Sequence, residues 1–201
     1  MIRVLLAEDQ AMVRGALAAL LRLEADIEVV AEVARGDEIV PTVLAIQPDV
    51  ALLDIEMPGQ NGLDAAQALH ACLPACKIVI VTTFGRSGYL QRAMASGAVG
   101  FLLKDAPAAA LAAALRRVMA GERVVDPELA LAALSDGANP LTSRERDVLT
   151  AGGDGASIAA IASQLALSEG TVRNHLSAII QKLGVHNRVE ATHLAEQKGW
   201  L

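Results

Sequence analysis

Aromatic residues, cysteines and an excess of positive charge are all scarce in this sequence of 201 residues. Aromatic side chains make up 2% of the chain, so its core must be built from Val, Leu, Ile and Ala. The net charge of −6 excludes a uniformly basic coat for nucleic acid, although a single local DNA-reading face is compatible with it. No apolar run approaches the roughly 18 residues that cross a bilayer, and an acidic pair follows the first residues too closely for a signal peptide. We therefore expect a soluble, cytoplasmic protein without membrane contact.

The two cysteines, Cys72 and Cys76, are too few for a disulfide framework in a chain of this size. With His70 nearby, their spacing leaves a metal or redox site open. Two small apolar residues near the end of a predicted helix are the simpler interpretation.

Short apolar runs alternate with helical stretches over residues 1–120. The runs are Ile2–Ala7, Ile27–Val33, Asp49–Asp54, Lys77–Thr82 and Val99–Leu103. The helical stretches are residues 10–24, 36–46, 62–72, 87–96 and 107–120. The runs are rich in Val, Ile and Leu, as buried parallel strands are. The alternation predicts βαβ units and an α/β fold whose five-stranded, doubly wound parallel sheet is covered on both faces. Pro41 lies inside the second helical stretch and weakens that boundary.

The pattern changes after Gly121. Residues 121–140 hold one short helical piece, around 127–134, and then a turn-rich cluster, so they are predicted to be a linker. From residue 141 onward the spacing is helical only. The predicted helices are residues 143–152, 157–165, 169–183 and 187–198. The sequence thus predicts an α/β domain over 1–120, a linker over 121–140 and an all-α domain over 141–201.

Polar side chains stand at the ends of four of the predicted strands. They are Glu8, Asp9, Asp54, Thr82 and Lys104. Because ligands of an open α/β sheet bind beyond the carboxyl ends of its strands, we expect these side chains to converge at one edge. Three carboxylates repel one another unless a hard cation such as Mg²⁺ lies among them. Aspartate is a known phosphoryl acceptor, Lys104 can pair with phosphate charge, and the Thr82 hydroxyl can donate a hydrogen bond. The set suits phosphoryl transfer onto Asp54, although alone Asp9 could be a helix cap and Lys104 a solvated lysine.

Residues 1–120 resemble the receiver domain of two-component response regulators, which has the CheY-like, flavodoxin-like fold. The motifs that carry the resemblance are Glu8-Asp9, Asp54-Ile-Glu-Met-Pro-Gly, Asn61-Gly62, Thr82-Thr83 and Gly97-Ala-Val-Gly-Phe-Leu-Leu-Lys104. The resemblance implies that Asp54 accepts phosphate from a sensor histidine kinase. It further implies a regulator that promotes only its own phosphorylation and dephosphorylation, rather than an enzyme.

The resemblance also assigns roles around Asp54. Glu8, Asp9 and Asp54 would bind Mg²⁺, with the backbone carbonyl of Glu56 as a further ligand. Thr82 and Lys104 would contact the phosphoryl group. Phe101 would be the switch residue that follows Thr82; the family more often has Tyr there, so this chain keeps the packing change but lacks the hydroxyl.

The all-α domain has the pattern of a helix-turn-helix. Thr142 and Glu145 form a capping box, Ser157 can cap the next helix, and a tight turn at 166–168 precedes the long helix 169–183. That helix carries an apolar face of Val172, Leu176, Ile179, Ile180 and Leu183. Its polar face carries the candidate DNA contacts, which are Thr171, Arg173, Asn174, His175, Ser177 and Lys182. Arg and Asn can recognise bases in the major groove, and Thr171, His175 and Lys182 can hold phosphates. A solvated polar face is the alternative, because Lys plus Arg equals Asp plus Glu from 141 onward.

Residues 141–201 are similar to the LuxR-type domain of the NarL/FixJ family. The similarity rests on Leu-Thr-x-Arg-Glu, Ile-Ala-x-x-Leu-x-Leu-Ser, Gly-Thr-Val-Arg-Asn-His and Asn187-Arg-Val-Glu-Ala191. Within that family, motifs such as Ala-Glu-Asp-Gln and Ala-Asn-Pro-Leu-Thr look closest to the DesR-type regulators. The resemblance implies that the helix from residue 169 reads double-stranded promoter DNA and that the last helix pairs bound protomers.

The first and fifth predicted helices are apolar over more of their surface than packing on a sheet requires. Neighbouring helices with spare apolar area suggest a partner face, although alanine is also tolerated at surfaces. We expect a homodimer through these helices that is favoured by phosphorylation. The candidate contacts are Leu17, Leu111, Leu115 and Val118.

Three other functions remain open from the residues alone. An aspartate-nucleophile phosphohydrolase would use Asp54 with Mg²⁺, but such enzymes favour Asp-x-Asp where this chain has Asp54-Ile-Glu56. A nucleotide-binding module would need a Gly-rich phosphate loop, which is missing. A protein adaptor that does not bind DNA is compatible with the neutral helical domain.

Overall fold

A computed structural model describes residues 1–83, 85–105, 107–136, 139–153 and 155–201. The chain packs into two units. The first comprises Met1–Gly85 and Leu90–Ala132, and the second comprises Arg86–Tyr89 and Ala133–Leu201. Gly137 and Ala138, in the predicted linker, lie outside the described residues.

A parallel sheet forms the middle of the first unit. Its strands are β1 (Ile2–Ala7), β2 (Ile27–Val33), β3 (Val50–Leu53), β4 (Lys77–Thr82), β5 (Gly100–Leu103) and β6 (Val124–Val125). The strand order is β2-β1-β3-β4-β5-β6, and every pair is parallel. The predicted α/β class with a parallel sheet is confirmed, and β6 is an addition at the edge that the sequence did not reveal.

Helices connect these strands. They are α1 (Ala11–Arg22), α2 (Ile39–Ile46), α3 (Gly62–Cys72), α4 (Ser87–Ala95) and α5 (Ala108–Met119), and α6 (Pro127–Asp136) follows β6. A 3-10 turn at Gly36–Glu38 leads into α2, so Pro41 falls in the first turn of that helix. Proline is tolerated there because the first N–H groups of a helix have no partner within it.

The core of the first unit is aliphatic. One cluster joins alternate residues of the sheet, such as Val4, Leu6 and Leu52, to Leu21 of α1 and Leu115 of α5. Because successive residues of a strand point to opposite faces, the buried residues between them belong to the other face. Both faces are therefore covered, and the polar chemistry is left to the ends of the strands.

Cys72 and Cys76 are both free thiols. Cys72 is exposed at the end of α3, whereas Cys76 is buried and its burial raises the pKa of the thiol to about 11. Among the described residues the one group of three potential metal ligands is Glu8, Asp9 and Asp54, which does not include these thiols.

The second unit is helical around its own core. Its helices are α7 (Ser143–Ala151), α8 (Ile158–Gln164), α9 (Glu169–Leu183) and α10 (Arg188–Gln197). The side chains of Val148, Ile161, Val172 and Ile179 are fully buried between them, and Trp200 closes the cluster. The predicted capping box of Thr142 and the predicted cap of Ser157 are both present. Local polar signals therefore fixed where α7 and α8 begin.

The turn between α8 and α9 contains strained backbone at Ala166, whose φ is 53°. This left-handed conformation costs a residue with a Cβ roughly 1–2 kcal/mol. We expect Ala166→Gly to stabilise the second unit by about 0.5–1 kcal/mol, since glycine relieves the strain but loses more chain entropy on folding. Urea unfolding followed by the fluorescence of Trp200 would measure it.

Gly184→Ala is a control that is expected to change the stability in the opposite direction. Gly184 ends α9 at a φ of 64°, and a Cβ there would meet no atom within 4 Å. Gly184→Ala should therefore destabilise the unit through backbone conformation alone. A loss of stability in Ala166→Gly would show that the turn does not strain Ala166.

Candidate functional site

The acidic residues meet where the order of the sheet reverses. β1 lies between β2 and β3, and Ala7 at the end of β1 pairs with Leu53 at the end of β3. Glu8 and Asp54 follow directly, so their carboxylates start from neighbouring strands. A topological switch point of this kind forms the ligand crevice of open α/β sheets. The structure thus brings together the acidic residues that the sequence placed at strand ends.

The three carboxylates differ in their exposure to solvent. Glu8 is 1% exposed and Asp54 is 5% exposed, whereas Asp9 lies at the surface. Carboxylate oxygens of all three lie within 4.8 Å of one another. The cluster therefore opens to solvent on the side of Asp9, which leaves a route by which a small ion or an anionic group could reach Asp54.

Lys104 joins the two buried carboxylates. Its Nζ lies 2.5 Å from Glu8 Oε2 and 2.9 Å from Asp54 Oδ2. The main chain of Lys104 is held in place because its N–H donates to the carbonyl oxygen of Thr82 at 2.9 Å. Thr82 is itself 1% exposed at the end of β4. Side chains that follow β1, β3 and β5 are thus in direct contact, and Thr82 ends β4, which lies between β3 and β5.

The pKa values at this cluster show its electrostatic imbalance. Burial raises the pKa of both Glu8 and Asp54 above the usual values for a carboxyl, in spite of the hydrogen bonds from Lys104. Burial lowers the pKa of Lys104, but the two carboxylates outweigh it and leave the pKa raised. The single positive charge of Lys104 therefore does not offset the cost of burying the two negatively charged carboxylates.

The residues present fit a divalent cation. With Glu8, Asp9 and Asp54 ionised and Lys104 protonated, the cluster carries a formal charge of −2, which Mg²⁺ would cancel. The donors are all hard oxygens, and Mg²⁺ takes only a few of these from a protein while keeping several waters. The exposed position of Asp9 leaves room for such waters. Glu56, whose backbone carbonyl is the further Mg²⁺ ligand expected from the sequence, lies exposed in the loop that follows Asp54.

Sequence reasoning gave no role to Gly62, which turns out to fix the loop after Asp54. A Cβ at Gly62 would lie 1.8 Å from the carbonyl oxygen of Asp54. Asn61 caps α3 by accepting a hydrogen bond from the N–H of Leu63 at 2.7 Å, and the N–H of Gly62 donates to Ile55 O at 2.9 Å. The N–H of Ile55 in turn donates to Asp54 Oδ1 at 2.8 Å. The signal available in the sequence was the Asn-Gly pair at the start of a predicted helix.

Most of the residues predicted to form a dimer contact lie in the core instead. Leu111, Leu115 and Val118 are 8%, 0% and 1% exposed and pack against the sheet, and Leu17 is half-buried against the same cluster. A helical pattern shows that one face is apolar but not which apolar residues face the sheet. Among the side chains that the structure describes, the large apolar ones exposed on these two helices are Met12, Leu20 and Met119, and Leu23 follows α1 directly.

The polar face of α9 is turned to solvent, as the sequence predicted. Arg173, Asn174 and Ser177 are exposed, and Thr171 and His175 are half-buried. Ser168 caps the helix by accepting from the N–H of Thr171 at 3.1 Å. The exposed side chains thus cluster toward the beginning of the helix, on the face opposite the buried Val172.

Lys182, the last predicted DNA contact on α9, has a different partner. Its Nζ lies 2.7 Å from Glu145 Oε2, on α7 of the same unit. Arg173 is also paired, with Glu169 one turn earlier at 2.8 Å, but both of those side chains are about half exposed.

The described fold and its acidic edge define an α/β receiver-like unit joined to a helix-turn-helix unit, and comparison with known proteins agrees. Residues 4–116 match the family described as the response regulator receiver domain. Residues 139–195 match the family described as bacterial regulatory proteins of the luxR family.

Similar proteins share both units. The transcriptional regulatory protein DesR of Bacillus subtilis is 50% identical over 200 residues, covering 100% of this chain and 99% of its own. The uncharacterized transcriptional regulatory protein YvfU of the same organism is 46% identical over 201 residues, with 100% of both chains covered. The chain belongs to the two-component response regulators with a LuxR-type DNA-binding domain, and it is a DNA-binding transcription regulator. This membership favours the regulator over the phosphohydrolase, nucleotide-binding and adaptor alternatives.

Solved structures show the same architecture. The response regulator ChrA of a heme-sensing two-component system covers 100% of this chain and 98% of its own at 36% identity and a TM-score of 0.58. A complex of the response regulator RcsB with DNA covers 98% of each chain at a TM-score of 0.67; at 22% identity it supports the fold alone. None of the helices in the described part of this chain has the length and apolar content of a bilayer span.

Proposed function

We propose that Asp54 accepts a phosphoryl group from a sensor histidine kinase in the cytoplasm, in a reaction that depends on Mg²⁺, and that this controls binding to promoter DNA. The observation that carries the proposal is the convergence of Asp54, Glu8, Asp9 and Lys104 at one end of the sheet. We propose a phosphoacceptor domain over 1–120, a linker over 121–140 whose first part adds β6 to the edge of the sheet, and a DNA-binding domain over 141–201.

In the proposed reaction, a carboxylate oxygen of Asp54 forms a bond to phosphorus while the bond from phosphorus to a kinase imidazole nitrogen breaks. Glu8, Asp9, Asp54 and the backbone carbonyl of Glu56 would hold Mg²⁺, which supplies positive charge against the phosphoryl oxygens. The hydrogen bond from Ile55 N–H to Oδ1 orients the Asp54 carboxylate. Oδ2 lies against Lys104, so Lys104 can pass from that oxygen to the oxygens of the incoming group.

The signal leaves the site through Thr82 and Phe101 in this proposal. Thr82 stands at the end of β4, next to the backbone of Lys104, and its hydroxyl would move to bond the new phosphoryl oxygens. Phe101 is fully buried in β5, the strand paired with β4. Because close-packed cores do not deform gradually, a shift of Thr82 favours a second position of this ring and hence a second state of the unit.

We also propose that phosphorylation favours dimerisation. The proposed contact surface consists of the exposed apolar side chains of α1 and its C-terminal end, in place of the buried residues named from the sequence. Leu20 is 38% exposed and Leu23 is 81% exposed. Arg116 of α5 binds Glu24 and Asp26 after α1, at 2.6 Å and 2.5 Å, which ties the two helices together at one end. We propose that the two helices together contact the second copy.

Leu20→Asp is expected to prevent phosphorylation-dependent dimerisation, since a carboxylate at an apolar contact loses its water on association. Leu44→Asp is the matched control, because Leu44 is 46% exposed but lies on α2. Light scattering before and after treatment with a small phosphodonor would measure the mass. Dimerisation of Leu20→Asp equal to that of wild type would remove α1 from the interface.

The second unit would read promoter DNA with the beginning of α9. Arg173 and Asn174 are the proposed base contacts, and Thr171, His175 and Ser177 the proposed phosphate contacts. A dimer would present two such helices to half-sites about one helical turn apart. For Lys182 the pairing with Glu145 supports a different role, which is argued below.

Selection of bound duplexes from a random pool tests the whole proposal. Wild type and Asp54→Asn would each be treated with Mg²⁺ and a small phosphodonor before selection. We expect wild type to enrich a pair of half-sites and Asp54→Asn to enrich it weakly or not at all. Equal enrichment by both proteins would contradict control through Asp54.

A further inference from the structure

Three basic side chains of the second unit bond to oxygen atoms of the same unit. Arg144 donates to the carbonyl oxygen of Leu165 at 2.8 Å, Arg188 donates to that of Ala156 at 2.7 Å, and Lys182 lies 2.7 Å from Glu145 Oε2. Each of these contacts joins two helices, or a helix and the loop beside another. We infer that Lys182 is a positioning residue, which fixes the recognition helix α9 on α7 through Glu145, and that it does not bind DNA phosphate.

Glu145 is a suitable anchor because it is buried and already oriented. Its side chain is 5% exposed, whereas that of Lys182 is 37% exposed. Glu145 Oε2 accepts hydrogen bonds from the N–H of Thr142 at 2.7 Å and from its hydroxyl at 3.0 Å. The capping box therefore holds the carboxylate rigidly at the first turn of α7, and the ammonium of Lys182 meets an acceptor that is fixed in place.

Moving Lys182 to a phosphate would leave this carboxylate without its cation. Burial raises the pKa of Glu145, but the hydrogen bonds from Lys182 and Thr142 outweigh it and hold the pKa below the usual value, so the group stays ionised. An ionised group that is buried and loses its partner is strongly unfavourable. Arg173 differs, because its partner Glu169 is about half exposed and regains water when the pair opens.

The position of Lys182 along α9 also sets it apart from Arg173. It lies in the last turn of α9, 11 positions after Thr171 at the capped beginning of the helix. The helix is about 1.5 Å long per residue, so the two ends are more than about 15 Å apart. A bond from the far end of α9 to α7 sets the angle at which the near end, with Arg173 and Asn174, would meet the groove.

The salt dependence of DNA binding separates the two roles. A lysine that neutralises a phosphate adds about 0.9 to the magnitude of the slope of log K against log salt, whereas a positioning residue adds nothing. Binding of the full-length, unphosphorylated chain to a random-sequence duplex would be titrated over a salt series. The variants are Lys182→Met, Lys182→Gln, which keeps an N–H donor for Glu145, and Lys182→Arg, which keeps the charge.

We expect Lys182→Met to keep the wild-type slope. Arg173→Met is the control on the same helix: on a random duplex, where binding is to phosphate and not to a preferred base, the exposed Arg173 guanidinium would neutralise a phosphate, so its loss should reduce the slope by about 0.9. Affinity of Lys182→Met for a duplex enriched by the wild-type chain should fall about tenfold, with Lys182→Gln intermediate and Lys182→Arg restored. Fluorescence of Trp200, the one tryptophan of the chain, would confirm that each variant is folded at the temperature used.

A slope reduced by about 0.9 in Lys182→Met and Lys182→Gln would overturn the inference, and so would unchanged affinity of Lys182→Met for the enriched duplex. If Lys182→Met does not fold, Lys182→Gln decides by the same two measurements. The inference rests on DNA binding by the second unit and not on Asp54. Failure of the phosphorylation proposal would leave the random-duplex slopes unaffected, so the two failures can be told apart.

Discussion

Asp54→Asn is expected to abolish the uptake of a phosphoryl group. The wild-type chain, treated with Mg²⁺ and a small phosphodonor, should gain about 80 Da, the mass of one phosphoryl group. An amide at position 54 is a poor nucleophile and a weak cation ligand, so the variant should gain nothing. Asp54 sits between Ile55 N–H at 2.8 Å and Lys104 Nζ at 2.9 Å, and the amide oxygen can keep the first of these contacts. The variant should therefore fold, and intact-mass spectrometry would read the result directly.

Asp37→Asn is the control for Asp54→Asn. Asp37 is an exposed carboxylate of the same unit, paired with Arg35 at 3.0 Å rather than with Lys104. The Asp37→Asn variant should gain the same mass as wild type, and its mass gain should depend on Mg²⁺ in the same way. Incorporation by Asp54→Asn at the wild-type level would move the acceptor to another residue and refute the assignment.

Gly62→Ala should strongly destabilise the first unit. The new Cβ would stand 1.8 Å from Asp54 O and 2.9 Å from Asp54 C, and both atoms are main chain. Main chain cannot move aside as a side-chain end can, so either α3 or the loop after β3 must shift. We expect a loss of about 3 kcal/mol in the free energy of unfolding. Since that loop follows Asp54, the proposed acceptor, phosphoryl uptake should fall as well.

Gly15→Ala is the matched control for Gly62→Ala. Gly15 lies inside α1, and a Cβ there would meet no atom within 4 Å. Alanine should stabilise the helix by about 0.5–1 kcal/mol. Chemical denaturation followed by circular dichroism would measure both variants, with Trp200 reporting the second unit separately. Equal effects of the two substitutions would show that the contact between α3 and Asp54 is not as close as described.

Periodic patterns in the sequence were sufficient for the sheet and its helices, because buried strands must be apolar and their connections helical. They were insufficient for β6, since Val124–Val125 is two residues long and leaves no pattern. Pro41 looked disruptive because the sequence did not show that α2 begins only at Ile39. Element type follows from long patterns, whereas the ends of elements depend on tertiary contacts.

The convergence of Glu8, Asp9 and Asp54 was predictable because parallel strands end at the same edge. The double contact of Lys104 with Glu8 and Asp54 was not, since it depends on the path of a long side chain. The dimer residues show the same limit: Leu115 and Leu20 look alike in sequence, but the first is fully buried and the second is exposed.

Lys182 shows which contacts a local pattern leaves out. Its position among polar residues of α9 is typical of a phosphate contact, and the capping box Thr142–Glu145 was visible in the sequence as a local motif. What the sequence could not reveal is that the same carboxylate faces α9, because that contact spans 37 positions along the chain. Local signals located both residues correctly but did not pair them.

The affinity of the full-length chain for its enriched duplex, measured with Asp54 loaded and unloaded, tests most directly whether chemistry at the first unit governs the second. Intact mass would give the loaded fraction in each sample, and fluorescence anisotropy of the labelled duplex would give the dissociation constant. We predict tighter binding of the loaded chain, by about tenfold or more, as expected when two half-sites are engaged together. Identical dissociation constants at full loading would contradict control of DNA binding by Asp54.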